Sequence, residues 1–207
     1  MRQTSDHDLG SALDELHAIH LHLARSERIR ALRARPVAAA ATTALLAGLA
    51  QQLWIDRPLA TPGHWLLLWG GAAALGGAAV ALEIAGRDRA PHDRRHGPRQ
   101  PHSWQQFAPS LVAGAVLTSV VAVRVPEHLA LLPGLWQLLF GLGCFAAWRI
   151  LPHPTWLVGT VFLASGTACL WLEEQALHPW AMALPFSFGL ALLATILHRA
   201  SPAPARR

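Results

Sequence analysis

The sequence predicts an all-α polytopic membrane bundle of six transmembrane helices preceded by a cytoplasmic amphipathic helix. Three observations carry this expectation. Six apolar runs of 17 to 20 residues succeed one another from residue 37 to residue 197, and each matches one bilayer crossing, which takes about 20 residues at 1.5 Å rise. Charged residues make up 14% of the 207-residue chain, where a soluble domain averages about 25%. The 17 basic residues are all Arg, and they fall almost entirely in alternate connections.

Ahead of the first run, residues 1–36 are polar and Arg-rich. Asp6 and Asp8 supply N-cap chemistry, and Leu9, Leu13, Leu16, Ile19, His20 and Leu23 recur at spacings of three and four. That is the apolar stripe of a helix of about 25 residues. Arg25, Arg28, Arg30, Arg33 and Arg35 crowd its C-terminal end, where positive charge suits the helix dipole. Pro36 predicts a break or kink before the first span. The first apolar run starts too far into the chain for a signal-peptide core, so no cleavable signal is expected.

The spans are expected at 37–55, 65–84, 104–123, 129–148, 156–172 and 180–197, within a membrane domain of 37–198. The fourth is the clearest: Leu129–Ile150 carries no charge until Arg149, with Pro133 in its first helical turn. Bare backbone finds no partner in lipid, so these runs must be helices; the ten-residue alternating strands of a barrel do not occur. The turns at 124–128 and 149–155 are tight and make spans three, four and five antiparallel neighbours. Residues 86–103 form a polar, Pro-rich cytoplasmic loop without periodicity, and 199–207 a cytoplasmic tail. With this topology, 15 Arg lie on one side and two, Arg57 and Arg124, on the other. The positive-inside rule then places both termini in the cytoplasm. Trp54, Trp65, Trp104, Trp148, Trp156 and Trp180 stand at run ends, as an interfacial aromatic belt does. The net charge of +5 reads as attraction to anionic lipid rather than to nucleic acid, and no nucleic-acid partner is expected.

Residues able to carry chemistry are few. Glu83 is the one carboxylate inside an apolar run, but it sits three residues before Gly86, within reach of the interface or of Arg87 at i+4. His17, His20 and His22 cluster on the N-terminal helix, where His17 and His20 are one turn apart, without a third ligand at dependable spacing. His92, His96 and His102 fall in the loop, and His64, His128, His153 and His178 at interfaces; none is mid-span, where haem axial ligands would face each other. Cys144 and Cys169 read as small core hydrophobes. Gly70, Gly71, Gly76 and Gly77 read as helix-packing positions, with a dimer surface as an alternative, and Thr118, Ser119, Ser165 and Thr167 as hydroxyls bonded to their own helices or across helices. No motif of a hydrolase, zinc protease or phosphate-binding loop occurs. No catalytic, cofactor-binding or metal residue is expected, and no cofactor.

Two stretches resemble a known family. Trp104-Gln105-Gln106-Phe107-Ala108-Pro109-Ser110-Leu111-Val112-Ala113-Gly114 and Leu131–Gly141 are similar to the openings of the third and fourth spans in a family of small six-span bacterial inner-membrane proteins with no established activity. In that family a short cytoplasmic helix precedes the first span, here Leu13–Arg35. The chain departs from it in the long Arg/His loop and in Phe140, where Tyr is common. The genes of that family often lie beside a winged-helix transcriptional regulator, so the resemblance implies a regulatory or sensory link. The leading expectation is a non-enzymatic regulatory, sensory or scaffold protein whose residues 5–35 bind a cytoplasmic protein, with a homo-oligomer also open. The alternatives are a small transporter or channel lined by Glu83 and the glycine-rich second span, and a metal- or haem-binding redox subunit.

Overall fold

The computed structural model describes residues 34–55, 58, 61–88, 103–148 and 151–200. The amphipathic helix expected within 5–35, most of the loop 86–103, Arg149 and nearly all of the tail lie outside the described residues. The described part is all helical: α1 (Ala34–Trp54), α2 (Pro62–Asp88), α3 (Ser103–Arg124), α4 (Leu132–Ala147), α5 (Thr155–Trp171) and α6 (Pro179–Ala200). Short 3-10 helices at Pro126–Leu131 and Glu173–Leu177 precede α4 and α6. Among the described residues five segments are long and apolar enough to cross a membrane: Ala34–Trp54, Pro62–Glu83, Gln106–Arg124, Pro126–Ala147 and Pro179–Ala200. The remaining apolar helix, α5, has 17 residues, about 25 Å of helix.

Prolines mark helix starts where the missing N–H is harmless. Pro62 and Pro179 open α2 and α6, and Pro133 is the second residue of α4. Pro36 is buried in the first turn of α1, and the residues ahead of Ala34, where the break or kink is expected, lie outside the described residues. One sequence expectation needs correction here. Gly86, Arg87 and Asp88 belong to α2, so the second helix runs further than its apolar stretch.

The helices pack in the order α2, α1, α6, α5, α4, α3, with the first and last described helices in broad contact. Two apolar clusters are stacked along the bundle. One joins Val37, Cys144, Phe162, Leu193 and Leu197, and the other joins Trp65, Leu129, Leu132, Leu177 and Met182. Phe186 packs against both. Around it four helices each contribute one ring: Phe140 lies 4.8 Å from Phe107, 4.6 Å from Phe162 and 5.6 Å from Phe186, measured between centroids. These are the spacings at which aromatic pairs attract beyond their buried area.

α4 and α5 approach each other closely along glycines. A Cβ built on Gly166 would lie 2.9 Å from the Gly134 carbonyl oxygen, and one on Gly141 would lie 3.0 Å from that of Gly159. The two pairs are seven residues apart on each antiparallel helix, so the backbones touch at two successive points on one seam. Lipid supplies no hydrophobic drive between helices, and small residues let dispersion contacts accumulate there. By contrast, of the glycines singled out in the second span only Gly76 meets a neighbouring helix, at Ala40; Gly70, Gly71 and Gly77 face open space. One member of the expected aromatic belt departs from it: Trp54, Trp148 and Trp156 are exposed, whereas Trp65 is wholly buried and stacks on Trp136 at 5.6 Å.

Gly166→Ala is therefore expected to destabilise the bundle by about 1–3 kcal/mol, the usual cost of overpacking. Gly77→Ala is expected to be neutral or slightly stabilising, since Ala is the better helix former. SDS titration of the detergent-solubilised protein followed by circular dichroism measures both; equal losses would contradict the seam.

Candidate functional site

The polar chemistry of the described residues gathers at the end of the bundle that carries the two 3-10 helices. Two buried glutamines organise it. Gln51, near the end of α1, donates from Nε2 to the Leu177 carbonyl at 2.7 Å, and its Oε1 accepts the Trp69 indole N–H at 2.6 Å. One amide thus ties α1 to α2 and to the turn before α6. The Leu177 carbonyl ends the second 3-10 helix, where the chain turns extended at His178 and the Ala181 N–H goes to the His178 carbonyl instead.

The second node follows from Pro185. In a continuous helix the N–H of residue 185 would bond to the carbonyl of residue 181, but proline has none. The freed Ala181 carbonyl takes the Gln137 Nε2–H at 3.0 Å, and the Cys169 thiol donates to it at 3.6 Å. Gln137 Nε2 also lies 3.3 Å from the Cys169 sulfur. The node joins α4, α5 and α6, and α6 passes Pro185 without ending. A third link joins α3 and α4: the Trp136 indole donates to Thr118 Oγ1 at 2.8 Å, and that hydroxyl donates to the Gly114 carbonyl at 2.7 Å.

Three buried polar atoms among the described residues have no protein partner: Trp65 Nε1, Gln137 Oε1 and Thr155 Oγ1. Glu173, the first residue of the second 3-10 helix, has φ 49°, a left-handed conformation costing a non-glycine residue roughly 1–2 kcal/mol. It turns the chain so that Glu174, Gln175 and His178 border an open cleft of about 660 Å³, whose opposite wall is the end of α1.

The residues singled out from the sequence are not brought together. Glu83 is half-buried towards the far end of α2. His64, His128, His153, His178 and His198 are exposed at helix ends or in turns. His128 and Glu127 are neighbours at 3.6 Å on the surface, where an ion pair contributes little. Among the described residues no group of three His, Cys, Asp or Glu is placed to hold a metal; His17, His20 and His22 lie outside them. Cys144 and Cys169 are buried free thiols, but Cys169 is a hydrogen-bonding member of the Ala181 node as well as core. Thr118, Ser119 and Ser165 bond to their own helices.

The two glutamines were missed from sequence, where the spans looked free of deep polar groups. Their signal was present: an amide in an apolar run needs a partner in lipid, and Pro185 advertises a carbonyl four residues earlier.

Gln137→Leu is expected to cost about 1 kcal/mol of stability, a typical interhelical hydrogen bond in a membrane protein. In a Pro185→Ala background, where residue 185 supplies the missing N–H, the same change should cost less than half as much. A double-mutant cycle in SDS measures this, and equal costs in both backgrounds would contradict the assignment. No protein-family model, curated protein or solved structure matches the chain.

Proposed function

We propose that the chain is a six-span protein of the bacterial inner membrane, with both termini cytoplasmic, acting as a non-enzymatic regulatory or sensory scaffold. In this reading α5, extended by its flanking turns, is the sixth crossing. Helix tilt and local thinning accommodate its length. An even number of crossings agrees with the packing of Val37, at the start of α1, in one cluster with Leu197, at the end of α6. The Arg distribution of the whole sequence sets the orientation.

The observation that carries the scaffold reading is the filled interior. Four phenylalanine rings from four helices meet one another between the helices, and the amide donors of Gln51 and Gln137 are spent on carbonyls of other elements. This weighs against a path for solute along the axis and favours a stable platform. Residues 5–35, joined directly to α1, are then the segment a cytoplasmic protein engages. The resemblance over residues 104–149 supports a link to gene regulation.

Deleting residues 1–30 is expected to leave membrane insertion intact while abolishing co-purification of a cytoplasmic protein from native membranes. Unchanged co-purification would contradict the role assigned to the segment.

A further inference from the structure

We draw no further inference here: the strongest candidate, the exposed apolar face of α2 that carries Leu67, Gly70, Gly71, Leu75 and Gly77, is a helix face with small residues, and nothing in the structure shows what covers it.

Discussion

The bundle depends on how closely α4 and α5 approach. In water, burying apolar surface would hold two such helices together; in lipid the surroundings are as apolar as the helix faces. What remains is dispersion between well-fitted atoms and the few hydrogen bonds that cross between helices. The glycine pairs Gly134–Gly166 and Gly141–Gly159 let the two backbones touch. The space this geometry leaves is filled by rings: Phe107 lies over Gly143, and Phe162 over Gly189. A side chain at any of these glycines would push the helices apart and loosen the aromatic contacts beside them.

Against that seam the polar nodes act as fixed points. Each occupies a carbonyl that the carbonyl's own helix leaves without a donor. Pro185 frees the Ala181 carbonyl and Gln137 occupies it; the chain turns extended at His178 and the Ala181 N–H goes to the His178 carbonyl, so Gln51 occupies the Leu177 carbonyl. Both amides reach across helices, so satisfying the backbone also sets helix position. The nodes lie at one end of the bundle, where the open cleft also lies. At the other end α1 and α6 close the described bundle with small and aliphatic side chains alone.

The location of the helices was legible in the sequence because hydrophobic length is enough to mark a membrane helix. Which face of each helix packs was not. Periodicity reports a contrast between core and water, and that contrast vanishes when the outside is lipid. Trp65 stood at a run end like a belt residue, yet it is buried against Trp136. Gly76 and Gly77 are adjacent and chemically equal, yet one meets Ala40 and the other faces open space. The hydroxyls of Thr118 and Ser119 were legible, because a back-bond to the preceding turn is a local property. The cleft was not, because it joins residues more than a hundred positions apart.

Every functional statement about this chain depends on six crossings with both ends on one side of the membrane. Thiol labelling tests that most directly. In a background lacking Cys144 and Cys169, Glu127→Cys on the first 3-10 helix should react with a membrane-impermeant maleimide on intact cells. His198→Cys near the end of α6 should react only after permeabilisation. Labelling of both positions from outside, or labelling of His198→Cys alone, would contradict the topology and the account built on it.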